Sequence, residues 1–295
     1  MKKTVYLCAA ALMAAVVSCG GGQGNQSQTQ NQEPKEEEPQ VQKQSKPFPW
    51  DYPEDVKAPG LEPGCHALVP SILYVTAEDP ANEMYYFGEV VIKKVGEKSS
   101  TFAGQGLLDV EMPNSLIIPL AKNQTAKKGD VLLTWWQTGS GSQRAIVTDD
   151  SDPARPKVAY LDLVWDEDNS YSSAQKNMDQ QLEPGSFTVL KSKEWMPGQS
   201  IVYNIEGNDE IFELISFTDN KALGYRYDGK LYVLDRSKCT IVPTDQQFKV
   251  GDKVKAVSFG YLSEVKITKV EANIGRIWYA DVLNDINRSI LEVIK

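Results

Sequence analysis

The chain has 295 residues, with 31 basic and 40 acidic side chains and a single histidine, for a net charge of −9 at neutral pH. That balance repels nucleic acid and anionic lipid surfaces, whose protein partners normally present a cationic face, so no nucleic-acid partner is expected. From residue 47 onward the chain is long enough for two domains. It is rich in Val, Ile, Tyr, Trp and Thr punctuated by Gly and Pro, a composition of short strands joined by turns, and the fold class read from it is all-β.

The N-terminus reads as a processing segment. Lys2 and Lys3 make a positive start, residues 5–17 are apolar, and Val16-Val17-Ser18-Cys19 closes the run. This motif resembles the lipobox of bacterial lipoproteins, which implies that 1–18 is a signal peptide and that Cys19 is acylated and becomes the new N-terminus. The apolar run is shorter than the roughly 20 residues of a membrane span, whereas several acyl chains on one terminus anchor stably. Residue 20 is glycine, not an aspartate of the inner-membrane retention type, so the resemblance favours the outer membrane of a Gram-negative envelope, with the face left open. Residues 19–46 are rich in Gly, Gln, Ser, Pro and Glu with no periodic apolar residue, and read as a disordered tether. Loss of 1–18 leaves 29 basic and 40 acidic residues, a net charge of −11.

Pro47-Phe48-Pro49-Trp50-Asp51-Tyr52-Pro53 is expected to lie extended across the first domain with its rings plugging a groove. The first half, 47–166, holds two units. In the unit 61–120, period-two alternation places strands over 68–75, 84–94, 106–111 and 115–120. In the unit 127–165, the turn Lys127-Lys128-Gly129-Asp130 launches 131–136, and strands follow over 144–148 and 157–165. A polar connector, 167–181, has no apolar stripe to dock it.

The second half, 182–295, divides at about 182–245 and 249–295. Strands are expected over 200–205 and 210–217, then over 224–227 and 230–234 around Asp228-Gly229, a two-residue hairpin in which both turn residues take positive φ. Strands over 253–257, 263–270 and 275–281 follow, and 286–294 reads equally as a closing strand or a short helix.

The halves echo one another. Leu61-Glu62-Pro63-Gly64 matches Leu182-Glu183-Pro184-Gly185 at an offset of 121, and Ile117-Ile118-Pro119 matches Ile241-Val242-Pro243 at 124. Lys128-Gly129-Asp130-Val131 matches Val250-Gly251-Asp252-Lys253 at 122, and Ala159-Tyr160-Leu161-Asp162 matches Trp278-Tyr279-Ala280-Asp281 at 119. Four landmarks in one order read as a tandem duplication with loops of altered length.

Val250-Gly251-Asp252-Lys253-Val254, a following hydrophobic strand and Tyr279-Ala280-Asp281 resemble a Tudor or Agenet module of the SH3-like barrel class. Gly129-Asp130-Val131 with Tyr160-Leu161-Asp162 is similar, as is Tyr85-Tyr86-Phe87-Gly88-Glu89-Val90. The resemblance implies small five-stranded barrels in tandem, two per half, with exposed rings gathered at one end. Candidate binding rings are Trp135, Trp136, Tyr160 and Trp165 in the first half and Tyr261, Trp278 and Tyr279 in the second. Consecutive rings point to opposite faces of a strand, so one of each pair is left for interdomain packing or for a cleft.

Catalytic readings find little support. His66 is the only histidine and Cys65 beside it points the other way, and two cysteines with one histidine cannot complete a zinc site. Asp149, Asp150 and Asp152, and likewise Asp166, Glu167 and Asp168, lack the alternating spacing of a calcium loop. Ser140 does not sit in a nucleophile elbow, and no Gly-rich phosphate motif opens a helix, so no cofactor and no metal are expected. Cys65 and Cys239 are either bridged between the halves or two buried free thiols. The expected function is a lipid-anchored, non-enzymatic envelope protein that binds a protein, peptide or glycan through clefts between barrels. The alternatives are an envelope glycan hydrolase using loop carboxylates and a purely structural spacer.

Overall fold

The computed structural model describes residues 48–104, 106–163, 180–258, 261–280 and 285–295. The segments expected to be a signal peptide and a tether, with Cys19, Trp165 and most of the expected connector, lie outside the described residues.

The described strands form four five-stranded antiparallel sheets. The first holds β1 (His66–Pro70), β2 (Phe87–Val95), β3 (Ser99–Gly104), β4 (Leu107–Pro113) and β5 (Ile118–Pro119). The second holds β6 (Val131–Trp135), β7 (Ser142–Asp149), β8 (Lys157–Tyr160), β9 (Gln180–Gln181) and β10 (Thr188–Val189). In the third are β11 (Ser200–Ile205), β12 (Asn208–Phe217), β13 (Lys221–Tyr225), β14 (Leu231–Asp235) and β15 (Thr240–Ile241). The fourth comprises β16 (Lys253–Ser258), β17 (Tyr261–Glu271), β18 (Arg276–Ala280), β19 (Asp285–Ser289) and β20 (Val293–Ile294). Every sheet has the same order: four strands run as a meander, and the fifth returns to pair with the first.

One local device recurs in all four modules. A glycine in the left-handed region, Gly64, Gly129, Gly198 or Gly251, occupies the third position of the turn that opens the first strand. Only glycine takes that conformation without strain, and proline precedes it in two of the four turns, as a type II turn prefers. The glycine N–H donates to a carbonyl on the second strand, that of Ile92, Val147, Leu214 or Ile267. At that same second-strand residue the pairing with the third strand slips by one. The slip is a β-bulge, and it bends a long second strand so that its two ends serve neighbours on different sides.

These bonds correct the alignment of the halves. Gly64 corresponds to Gly198, in Met196-Pro197-Gly198-Gln199, and not to Gly185. Leu182-Glu183-Pro184-Gly185 lies inside the second module, between β9 and β10, so that module runs past the expected boundary at 182. Leu120 and Val242 make equivalent bonds, to His66 O and Ser200 O, which puts the two Ile-rich motifs on the same strand but two residues apart. Val158 and Tyr279 face the equivalent residues Val147 and Ile267, so the two tyrosine motifs are displaced by two as well. A displacement of two preserves which face of a strand is buried, and this is why the sequence echo persists.

Local details also differ. β1 ends at Pro70, which has no N–H to extend the ladder, and Ile72–Val75 turns as a short helix. The Asp228-Gly229 hairpin is in place, but only Gly229 takes positive φ, and Arg226 N bonds Lys230 O across a three-residue loop. Asp228 instead accepts from Lys230 N and Tyr232 Oη, which holds it in an ordinary conformation. The C-terminal segment is β19, a 3-10 turn closed by a capping box between Ser289 and Glu292, and β20.

The modules belong to one compact unit and meet in a ring. The first touches the second where Tyr86 Oη donates to Ser140 O at 2.7 Å. Arg276 Nη2 ties the fourth to the second through Leu161 O at 2.8 Å, and Lys255 pairs with Asp209 of the third at 2.9 Å. Ser216 Oγ closes the circle by donating to Ser115 O of the first at 2.8 Å. The largest core is correspondingly shared, running from Leu68 and Phe102 through Ile146 and Leu223 to Ile277 and Tyr279. The N-terminal aromatic segment buries Trp50 and Tyr52 as expected, but it spans two modules: Glu54 O accepts from Ser115 N, and Asp51 pairs with Lys221 of the third module.

Candidate functional site

The ring candidates from the sequence are not gathered on one face. Trp135 is half-buried and stacks on His66, with centroids 5.2 Å apart, between the first and second modules. Trp136 packs on the core of the second module beneath its hairpin loop, where a Cβ at Gly139 would sit 2.1 Å from the indole. Tyr160 is buried, and its hydroxyl donates to Trp135 O. Trp278 is buried under Lys269, whose Nζ lies 4.2 Å from the ring centroid, and Tyr279 is buried with its hydroxyl donating to Val257 O. Of the six candidates among the described residues, Tyr261 alone is exposed.

Cys65 and Cys239 are free thiols. Burial pushes both pKa values up, that of Cys239 to about 11 with Asp235 adding to the effect, so neither is a ready nucleophile. His66 binds Glu89 at 2.7 Å. Asp149 and Asp152 accept backbone N–H groups two residues on, as turn formers do. Among the described residues no three His, Cys, Asp or Glu side chains are placed to hold a metal ion.

A cavity of about 300 Å³ lies where the four modules converge. The first module contributes Tyr86 and Phe87, the second Arg144 and Asp162, the third Glu213, Tyr225 and Tyr227, and the fourth Glu292. Tyr86 and Tyr227 are 53% and 74% exposed and form its rim.

Strand pairing explains the interior. Phe212 and Leu214 point into the core of the third module, so Glu213 between them faces the junction. Ser200 and Tyr225 lie directly across from Glu213 on the two neighbouring strands and share its face. Each of these neighbours bonds another module: Ser200 Oγ accepts from Arg144 Nη1 at 2.5 Å, and Tyr225 Oη donates to Tyr85 O at 2.9 Å. The Glu213 carboxyl, in the middle of the row, makes no hydrogen bond or ion pair with a described residue.

The surrounding charges are already committed. Arg144 is buried and forks onto Asp162, with Nε to Oδ2 at 2.9 Å and Nη2 to Oδ1 at 2.6 Å, and its backbone N–H takes Oδ2 as well. Burial opposes the charge on Arg144, but Asp162, Glu213 and Glu292 outweigh it and its pKa is raised. Arg226 pairs with Glu210 and Asp228. Glu292 receives the Ser289 N–H in the capping box. Burial pushes Glu213 up to about 7, with Arg144 opposing and Asp162 adding to the rise.

Tyr86, Phe87 and Asp162 fell in the Tudor-like motifs of the sequence, but none of the cavity groups was named there as a binding candidate. The available signals were a glutamate on the wrong phase of an apolar strand and an arginine opening the run Ala145-Ile146-Val147. Compared with known proteins, the chain matches no family model and no curated protein.

Proposed function

We propose that this is a lipid-anchored protein of the cell envelope, held at the outer membrane through acylated Cys19, that binds an envelope protein, peptide or glycan without catalysing a reaction. The shared strand order, the bulged second strand and the 3-10 turn before the fifth strand in three modules support reading each module as an SH3-like barrel. The binding reading rests chiefly on the junction cavity, where exposed tyrosines rim a pocket with an unpaired carboxyl inside. The Glu213 carboxyl is part-buried and open to the cavity, so a ligand that enters meets an acid that no described side chain engages.

A second reading, glycan hydrolysis, draws on the same Glu213. A carboxyl that burial pushes up to about 7 in a tyrosine-lined cavity suits a general acid. Its weakness is the partner carboxylate. Both oxygens of Asp162 are occupied by Arg144, which leaves little basicity for activating water.

The test has two arms. Metabolic labelling with a fatty acid should mark the wild-type chain and not Cys19→Ala. Fractionated envelope peptides and glycans should bind the wild type and bind Tyr86→Ala and Tyr227→Ala more weakly at unchanged Tm. Equal binding by both variants removes the cavity reading, and bond cleavage that is lost in Glu213→Gln replaces it with the hydrolase.

A further inference from the structure

Resting on the reading of the junction cavity as a binding site, we propose that its ligand presents a cation bearing N–H groups, a primary ammonium or a guanidinium, to Glu213. Among the described residues the cavity has two cationic side chains, and both are spent: Arg144 on Asp162, and Arg226 on Glu210 and Asp228. Glu213 and Glu292 then remain as acids with no cationic partner among the described residues, one on β12 and the other on the turn before β20. An anionic ligand would meet both. A neutral ligand can satisfy the protonated form of Glu213 but leaves the charge of the ionised form uncompensated, whereas a cation compensates that charge and supplies the donor together.

The apolar walls fit the same chemistry. Phe87 and Tyr225 meet edge to face at 5.4 Å beside Glu213, and Tyr86 and Tyr227 stand at the mouth. An alkyl stem of a few carbons would run between these rings with its charged head at Glu213, the arrangement by which long cationic side chains bury stem and head separately. The cavity volume of about 300 Å³ sits at the lower end of the usual range for small-molecule sites, enough for such a chain. The N–H groups distinguish this site from an aromatic cage: a quaternary ammonium satisfies the rings but offers Glu213 no hydrogen bond.

Binding is linked to protonation. Arg144, Asp162, Glu292 and Arg226 are the charged groups facing Glu213, and a bound cation adds the positive charge that favours its ionised form, so binding near neutral pH releases a proton.

Calorimetry on the full chain, with agmatine, cadaverine, the analogue of cadaverine trimethylated on both nitrogens and a short neutral-flanked lysine peptide, tests this. The expected result is binding of agmatine or cadaverine with proton release between pH 6 and 8, and weakening by roughly tenfold or more both for the quaternary analogue and in Glu213→Gln. A peptide that binds more tightly than cadaverine assigns the cation to a protein partner, and the reverse assigns it to a free amine. Glu213→Gln must melt no lower than wild type for the comparison, and Glu213→Ala serves as the second variant if it melts lower. Equal binding of the quaternary analogue, or binding unchanged in Glu213→Gln, overturns the proposal. If no cation binds while envelope glycans or neutral peptides still do, the cation is refuted and the cavity reading stands. Failure of every ligand refutes both.

Discussion

The imidazole of His66 lies on the indole of Trp135, 5.2 Å between centroids and 29° between planes, and joins the first strand of one module to the first strand of the next. The only histidine of the chain is therefore a packing element, fixed by Glu89 on its other side.

Trp135→Ala is accordingly expected to act on stability. Truncating a half-buried tryptophan at a module interface should cost about 2 kcal/mol, less than the 3–5 typical of fully buried rings. Urea unfolding should show the loss with ligand binding preserved in the folded fraction, and an unchanged midpoint with lost binding would return Trp135 to the binding face.

The N-terminal segment should separate burial from charge. Trp50 is buried and meets Tyr85 edge to face at 5.6 Å, so Trp50→Ala should lower stability by about 3 kcal/mol. Asp51 is almost fully exposed, and its pair with Lys221 is an exposed ion pair, so Asp51→Ala should cost below about 1 kcal/mol. Comparable midpoint shifts for the two variants would contradict this account.

The recurring turn glycines allow a paired comparison. Gly198 and Gly251 have φ of 89° and 93°, so alanine is strained at either, by about 1–2 kcal/mol. A Cβ at Gly198 would also approach Leu133 to 2.9 Å, whereas at Gly251 the nearest atom is the Lys266 side chain at 3.9 Å. Gly198→Ala should therefore lose more than Gly251→Ala in thermal melts, and the opposite order would count against the close approach of the second and third modules.

Glu213 makes stability depend on pH in an unusual direction. Its folded pKa is raised from 4.5 to about 7 by burial, so the folded state holds the proton more tightly than the unfolded chain. The stability it contributes is complete below about 4.5, falls as pH rises through about 7 and is flat above. Glu213→Gln should remove that slope and leave the variant more stable than wild type at pH 8 by at most about 3 kcal/mol, at roughly 1.4 kcal/mol per pKa unit. Parallel melting curves for the two proteins from pH 5 to 8 would place Glu213 in an ordinary solvated setting.

Strand positions were legible in the sequence where the pattern was strong. The alternation in 84–94 gave β2, the Gly-Asp turns at 129 and 251 gave the starts of β6 and β16, and Asp228-Gly229 gave the hairpin. The repeat was legible too, but its register was not. Leu182-Glu183-Pro184-Gly185 is a closer sequence match to the first turn than Met196-Pro197-Gly198-Gln199, and only the bond from Gly198 N to Leu214 O identifies the latter as the counterpart. Aromatic residues misled for a related reason. A ring buried between modules and a ring lining a cleft have the same sequence signature, and Trp278 and Tyr279 are core while Tyr86 and Tyr227, not among the binding candidates, are exposed.

By itself the sequence determined what is local: period-two alternation, glycines able to take positive φ, and acid-rich composition, which together set an all-β chain of short strands with a strongly negative charge. The tertiary structure alone decided which faces of those strands meet. Ser115 and Ser216 are 101 residues apart and touch, and Glu213 draws its setting from Arg144 and Asp162 of one module and Glu292 of another. Desolvation and pairing of a side chain depend on every neighbour the fold brings to it, and no window of sequence contains them.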